Sequence, residues 1–245
     1  MPVTDATRRQ YLHTLGVTQW ERRDLQPAPA TQMATHMATH MAPQVITAAA
    51  ASVAEATLPV APGWDQLQSE VQTCTKCSLH GTRTQTVFGV GNRRASWLFI
   101  GEAPGADEDA QGEPFVGRAG QLLNAMIAAL GLKREAVYIA NILKCRPPNN
   151  RDPQAAEVEH CEPYLRRQID LIQPKLIVTL GRHAAHSLLK TDLALSKLRH
   201  QPLRYHDIPL VATYHPAYLL RTPSDKRKAW EDLRRARRLM QELGA

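Results

Sequence analysis

Four short runs of mostly apolar residues divide the chain between residues 97 and 214. They are too short to form one face of a helix and are typical of buried strands. The runs are Trp97–Ile100, Val137–Leu143, Leu176–Leu180 and Ile208–Tyr214. We therefore predict four strands that lie inside the protein.

The segments between and beside these runs have apolar residues at helical spacing. The clearest is Val116–Gly131, in which Leu123, Ile127 and Leu130 recur on one face and a glycine ends the pattern. Four more helices are predicted: Trp64–Cys74, one beginning at Asp152-Pro153, one after Gly181 and a basic one at Trp230–Leu243. Because strands and helices alternate, we predict a three-layer α/β/α fold around a central four-stranded parallel sheet.

The first 62 residues differ from the rest in composition. Residues 1–25 contain a short amphipathic peptide, and residues 26–62 are rich in Ala, Pro, Thr, Gln and Met with almost no charge. Such a composition is typical of a flexible linker. We therefore expect one folded domain over residues 63–245.

The net charge of +7 comes from the folded part of the chain, because the charges of residues 1–60 balance. A basic domain suits a polyanionic partner, although many basic proteins have none. Eight basic residues lie between Arg221 and Arg238. We find no run long enough to span a membrane and no signal-peptide pattern, and we expect an intracellular soluble protein.

The ends of the predicted strands have residues that are typical of binding and catalytic sites. Glu102 follows the first strand in the loop GEAPG, Asn141 lies in the second run, a glycine turn follows the third strand and His215 follows the fourth. An acidic loop after Glu102 ends in Phe115. The carboxyl ends of parallel strands meet at one edge of a sheet, where ligands bind. Each residue alone could have an ordinary structural role, but together they predict a site.

The four cysteines form a second candidate site. Cys74 and Cys77 are separated by two residues, whereas Cys145 and Cys161 are isolated. Disulfides are rare inside cells, so a metal site is favoured over bridges. An iron–sulfur cluster accepts isolated ligands more readily than zinc, but zinc and free thiols remain alternatives on spacing alone.

Five motifs in order resemble the family 4 uracil-DNA glycosylases. They are GEAPGADED at 101–109, PFVGRAGQLL at 114–123, NILKCRPPNNRDP at 141–153, LGRHAA at 180–185 and YHPAYLLR at 214–221. The resemblance includes the cysteine spacing. It implies hydrolysis of the N-glycosidic bond of deoxyuridine in DNA, after the base has been flipped out of the stack.

The resemblance also implies how uracil would be bound. Phe115 would stack on the flipped base, and Asn141 would recognise the O4 and N3–H groups that distinguish uracil from cytosine. Glu108 would form a wall against the methyl group of thymine. Leu219 would fill the gap that the flipped base leaves in the DNA. Alternatively, Leu219 and Leu220 both begin the core of the last helix, which is our interpretation for Leu220.

For catalysis, the resemblance implies that His215 donates a hydrogen bond to O2 of the departing uracil. Glu102 and the backbone at Ala103 would also face the uracil. Glu102 would orient water or stabilise the sugar cation, and the alternative is that it only holds the loop. Cys74, Cys77, Cys145 and Cys161 would hold a structural [4Fe-4S] cluster, with zinc as the less favoured alternative.

The N-terminal peptide has a resemblance of its own. LHTLGVTQWERR at 12–23 resembles the N-terminal peptide of the psi subunit of the bacterial DNA polymerase III clamp loader, which implies docking on clamp-loader subunits through residues 9–23. We expect a monomer that acts on uracil-containing DNA in the bacterial cytosol or nucleoid, without a membrane. The alternatives are a family 5-like glycosylase of broader specificity and a replisome adaptor that uses the fold for docking.

Overall fold

The computed structural model describes residues 63–244, and its centre is a six-stranded mixed sheet. The strands are β1 (Val90–Gly91), β2 (Trp97–Gly101), β3 (Tyr138–Asn141), β4 (Leu176–Leu180), β5 (Leu203–Tyr205) and β6 (Ile208–Thr213). They are ordered β1-β3-β2-β4-β6-β5, and the four in the middle are parallel. These four are the strands predicted from the apolar runs.

The predicted strand count of four is wrong, because β1 and β5 add an antiparallel strand at each edge. They have two and three residues, which is too short for a recognisable pattern of apolar positions. The predicted second strand is also too long, because β3 ends at Asn141.

Eight α-helices surround the sheet in the described part of the chain. They are α1 (Trp64–Gln72), α2 (Ala106–Gln111), α3 (Arg118–Ala129), α4 (Ala155–Ile172), α5 (Arg182–Leu189), α6 (Leu195–Leu198), α7 (Pro216–Arg221) and α8 (Lys226–Glu242). The acidic segment after GEAPG, predicted as a loop, forms α2. No helix within residues 63–244 is long and apolar enough to cross a membrane.

Two hydrophobic cores cover the two faces of the sheet. Along β2, Leu98 and Ile100 belong to one core, whereas Trp97 and Phe99 belong to the other. Side chains alternate between the faces of a strand, so a strand that is apolar throughout contributes to both cores. The first core includes residues of α1 and α4, and the second includes residues of α3 and α8. The predicted three-layer arrangement is confirmed.

The predicted amphipathic peptide at 1–25, its docking on a clamp loader through residues 9–23 and the linker at 26–62 lie outside the described residues. They remain predictions.

Candidate active site

A cleft of about 910 Å³ opens at the carboxyl ends of the parallel strands. Six of the seven predicted catalytic and substrate-binding residues line it: Glu102, Ala103, Glu108, Phe115, Asn141 and His215. They come from the ends of β2, β3 and β6 and from the segment after β2. The fold therefore brings together residues that are up to 113 positions apart in the sequence.

Asn141 and Phe115 form the inner wall of the cleft. Asn141 is 2% exposed, and its side-chain oxygen Oδ1 has no hydrogen-bond partner among the described residues. Gly101 allows the amide and the ring to approach each other: a Cβ atom at position 101 would lie 2.4 Å from Asn141 Oδ1 and 2.5 Å from Phe115 Cζ. A buried acceptor without a partner is costly, so this wall is suited to a ligand that donates a hydrogen bond.

Phe115 has a backbone conformation that non-glycine residues rarely adopt, with φ of 56°. Glu108 binds the backbone that directly follows this ring and the backbone of the GEAPG loop. Its Oε1 accepts hydrogen bonds from the N–H groups of Val116 and Gly117, at 3.0 and 3.1 Å, and its Oε2 accepts from Gly105 at 3.1 Å. The carboxylate thus ties the GEAPG loop to the segment that follows Phe115. This tie was not predicted from the sequence, and the predicted wall against thymine remains a prediction.

His215 lies opposite Phe115, with the ring centroids 5.6 Å apart. Its Nδ1 accepts a hydrogen bond from the backbone N–H of Ala217 at 3.1 Å, so a neutral ring carries its proton on Nε2. Burial, together with the positive charge of Arg221 and the nearby His183, lowers the pKa of His215 to about 4. At neutral pH the imidazole is therefore an uncharged hydrogen-bond donor.

Glu102 has the opposite shift. Burial and the negative charge of Asp152 raise its pKa to about 7, and Arg182 partly offsets the rise. A carboxyl group with this pKa can accept a proton near neutral pH.

Asp152 and His183 form a cluster with Glu102 that sequence analysis missed. The three side chains have ligand atoms within 4.8 Å of one another, and His183 Nε2 lies 3.3 Å from Asp152 Oδ2 and 4.0 Å from Glu102 Oε2. Arg182 Nη2 donates a hydrogen bond to the same Oδ2 atom of Asp152 at 2.9 Å. Both residues lie in the motifs quoted above. The position of His183 just after the third strand could have identified it as a site residue.

Leu219 is the one predicted site residue that does not line the cleft. It is 1% exposed and belongs to the second hydrophobic core, whereas Leu220 is only half-buried. The sequence predicts the reverse, with Leu219 facing the DNA and Leu220 in the core. The conformation of α7 decides which of two adjacent leucines faces inward, and the sequence alone does not reveal it.

The four cysteines line one small cavity beside α1 and α4, as the spacing suggested. All four are free thiols, and no three of them have sulfur atoms within 4.8 Å of one another in the described structure. An all-sulfur donor set of four cysteines suits a soft metal centre, either an iron–sulfur cluster or zinc.

The fold and the cleft define an α/β protein with an active site at the carboxyl ends of its parallel strands. Comparison with known proteins identifies the family. The model of the uracil DNA glycosylase superfamily matches residues 88–234, and the chain belongs to this superfamily.

Its curated relatives include Type-4 uracil-DNA glycosylases. That of Archaeoglobus fulgidus is 46% identical over 179 residues, which are 70% of this chain and 90% of the relative. That of Thermotoga maritima is 40% identical over 182 residues, covering 73% and 95%. A Type-5 uracil-DNA glycosylase of Pyrobaculum aerophilum is 30% identical over 146 residues, covering 53% and 64%. The predicted family identification is confirmed.

Proposed function

We propose that this protein is a DNA repair glycosylase that hydrolyses the N-glycosidic bond of deoxyuridine in DNA, releases uracil and leaves an abasic site. The identity to the Type-4 uracil-DNA glycosylases supports the reaction class. The observation that carries the proposal is the buried, unpartnered Oδ1 of Asn141 beside the ring of Phe115. An acceptor next to an aromatic ring suits a flat base that has a ring N–H group.

Uracil is flat and has a ring N–H group, so it suits both the ring of Phe115 and the acceptor of Asn141. Its N3–H would donate to Asn141 Oδ1, and its O4 would accept from the side-chain N–H₂ of the same residue. Cytosine has no hydrogen on N3 and presents an amine at C4, so both hydrogen bonds would be lost. Stacking on Phe115 would add affinity for any flipped base, so the amide provides the selectivity.

His215 would stabilise the leaving group. As the bond between C1′ and N1 breaks, negative charge develops on uracil O2, and the Nε2–H of the neutral imidazole would donate a hydrogen bond to this oxygen. Donors aimed at developing charge supply large catalytic effects, on the order of a hundred- to a thousandfold for one donor. Since the pKa of His215 is about 4, the ring is neutral at pH 7, and the N–H of a neutral imidazole is too weakly acidic to transfer its proton.

Glu102 would act on the sugar side of the bond. Its carboxylate would orient the attacking water, accept its proton and stabilise the positive charge on the sugar. The pKa of about 7 supports this role, since the carboxylate is partly ionised at neutral pH and still basic enough to take a proton. The backbone at Ala103 lines the same part of the cleft.

We further propose that Glu108 excludes thymine, since it lines the cleft and supports the segment after Phe115. For DNA binding, the exposed basic residues of α8 would contact phosphates. Those we assign to this role are Lys226, Arg227, Lys228 and Arg234, whereas Arg237 and Arg238 are also exposed and belong to the solvated face of the helix. Binding should therefore weaken as the salt concentration rises.

Cys74, Cys77, Cys145 and Cys161 would hold a [4Fe-4S] cluster. When bound, the cluster would supply a covalent cross-link between the segment after α1, the segment after β3 and helix α4. Hydrolysis needs no redox step, so this role is structural.

We also propose that residues 9–23 dock on clamp-loader subunits. The protein would act as a monomer in the bacterial cytosol or nucleoid. The support for docking is the resemblance at 12–23. A peptide of residues 1–26 should recover clamp-loader subunits from a bacterial lysate, and a scrambled peptide should not.

The main test is an excision assay. Purified protein is incubated with oligonucleotides that contain uracil, thymine, cytosine or hypoxanthine at one position, and abasic sites are cleaved with alkali. We expect product from the uracil strand only, and a loss of a hundredfold or more in His215→Ala. Equal activity of His215→Ala and the parent protein would refute the assignment, and product from hypoxanthine would indicate broader specificity.

A further inference from the structure

An exposed tryptophan lies in the basic stretch of the last helix. The structure describes three tryptophans, of which Trp64 and Trp97 are 2% and 7% exposed, whereas Trp230 on α8 is 40% exposed. A single exposed apolar side chain needs no explanation by itself. The residues around the ring therefore decide what it can bind.

Basic residues surround Trp230 on its side of α8. Lys226 and Arg227 lie four and three residues before it, and Arg234 lies four residues after it, so all three are its neighbours on the helix surface. All three are exposed. Arg227 pairs with Glu231 at 3.3 Å, but both side chains are exposed, and an ion pair of this kind contributes little. We call Trp230 and its three basic neighbours the Trp230 surface.

The start of α8 is in contact with the wall of the cleft. Tyr218 lines the cleft, and its hydroxyl donates a hydrogen bond to Asp225 Oδ2 at 2.7 Å. Asp225 directly precedes α8. Trp230 follows one turn into the helix, about 6 Å along its axis from Lys226. The Trp230 surface thus begins beside the wall of the cleft.

We propose that the Trp230 surface binds the DNA strand next to the flipped uracil. Trp230 stacks on an unpaired base, and Lys226, Arg227 and Arg234 contact the phosphates beside that base. Positive side chains along the backbone and an aromatic ring for the bases are the two elements of single-stranded nucleic-acid binding. Every base has a flat face, so the contact tolerates any sequence around uracil. This proposal rests on the proposed function and adds the form of DNA that is bound best, a strand with unpaired bases beside uracil.

The experiment is single-turnover excision over a range of protein concentrations, which separates binding from the maximal rate. Three substrates contain one uracil each: a single strand, the same strand with tetrahydrofuran abasic residues in place of the bases that flank uracil, and a full duplex. The tetrahydrofuran strand keeps the phosphates but has no flanking base that could stack. Trp230→Met keeps a large apolar side chain without a ring, and Trp230→Phe keeps a ring as the matched control.

Trp230→Met should raise the half-saturating protein concentration on the single strand at least about fivefold, the lower end for the loss of one stacked base. The maximal rate should stay unchanged, because Trp230 is not among the residues that line the cleft. On the tetrahydrofuran strand and on the duplex, where no unpaired base is available, the rise should be less than about twofold. Trp230→Phe should bind the single strand more tightly than Trp230→Met.

Two results would overturn the proposal. Unchanged binding of the single strand by Trp230→Met would mean that the ring faces solvent or another protein, and an equal loss on all three substrates would mean that Trp230 supports the fold. If Trp230→Met does not fold, the parent protein provides the test: it should bind the tetrahydrofuran strand at least about fivefold more weakly than the strand with bases, and equal binding would refute stacking.

The excision assay separates this proposal from the proposed function. A parent protein that excises uracil, together with either contrary result for Trp230→Met, refutes the stacking alone. A parent that excises no uracil refutes the proposed function and the role of the Trp230 surface with it.

Discussion

Replacing Asp152 by Asn should shift the pH dependence of uracil excision to lower pH. Asp152 raises the pKa of Glu102 through its negative charge, and the substitution removes that charge while keeping the shape of the side chain. The rate depends on the ionised form of Glu102, so the acid limb of the pH–rate profile should follow the pKa of Glu102. For the parent protein this limb should lie near pH 7.

The size of the shift follows from the distance between the charges. The carboxylates of Glu102 and Asp152 have oxygens within 4.8 Å of each other. Two unit charges at this distance interact by about 0.9 kcal/mol in water and about 3.5 kcal/mol at an effective dielectric constant of 20. The side chain of Asp152 is 66% exposed, so the lower value applies. It corresponds to a shift of about 0.6 pH units.

Neighbouring groups should not reverse the sign. Burial lowers the pKa of His183, and the charge of Asp152 only partly offsets this, so removing Asp152 keeps the imidazole neutral. In Asp152→Asn, Arg182 no longer contacts a carboxylate at position 152. Its positive charge lowers the pKa of Glu102, so it adds to the effect of the substitution. His215 precedes α7 and Arg221 is its last residue. The pKa of His215, about 4, is too low to produce an acid limb of the pH–rate profile near pH 7.

The measurement is the single-turnover excision rate from pH 5 to 9, with Asp192→Asn as the control. Asp192 lines the same cleft, but its charge is not among the causes of the shift in Glu102. The variant Asp152→Asn should have its acid limb at least half a unit lower, whereas the control should match the parent. A limb that stays in place or moves upward, or an equal shift in Asp192→Asn, would refute the assigned role of Glu102.

Two further changes test the packing of the site, and a third tests the buried ion pair between Arg199 and Asp232 of α8, which does not line the cleft. Gly101→Ala should lower the single-turnover rate at least about a hundredfold, because its Cβ would displace the amide of Asn141. Glu108→Gln should destabilise the protein by about 1–3 kcal/mol in urea unfolding, because one end of the amide cannot accept the backbone N–H groups. Asp232→Ala should cost about 3–5 kcal/mol in the same assay, since it leaves the guanidinium of Arg199 buried and unpaired.

Each of these has a clear contrary outcome. Normal excision by Gly101→Ala would show that the amide and the ring need not approach as closely as we infer. An unchanged urea midpoint in Glu108→Gln would mean that its three hydrogen bonds contribute little. A stable Asp232→Ala protein would show that water reaches Arg199 readily.

The sequence predicted the middle of the sheet well because buried parallel strands leave a strong local signal. Four of the five residues of β4 are apolar and all five are buried, and a run of this length between helical segments is typical of a strand covered on both faces. The rule that ligands bind at the carboxyl ends of parallel strands placed Glu102, Asn141 and His215 at one edge of the sheet. The edge strands β1 and β5 were missed because two or three residues cannot display a period.

Features that depend on contacts across the fold were beyond prediction. Glu108 lies in an acidic segment, where any of several carboxylates had an equal claim, and only the folded backbone selects it as the acceptor of three N–H groups. Asp152 and Glu102 are 50 residues apart, so the influence of one on the other depends on the packing of α5 and the segment before α4. Likewise, the rotation of α7 buries Leu219 instead of Leu220.

Burial of the cleft reverses the usual order of two pKa values, and this reversal assigns the two roles. An exposed histidine has a higher pKa than an exposed glutamic acid, whereas here His215 has a pKa of about 4 and Glu102 one of about 7. Burial disfavours charge on both groups, which lowers the value of a base and raises that of an acid. Near pH 7 the imidazole therefore keeps its single proton and donates a hydrogen bond to the leaving base. The carboxylate is then the better proton acceptor of the two, so the proton of the attacking water should go to Glu102 and not to His215.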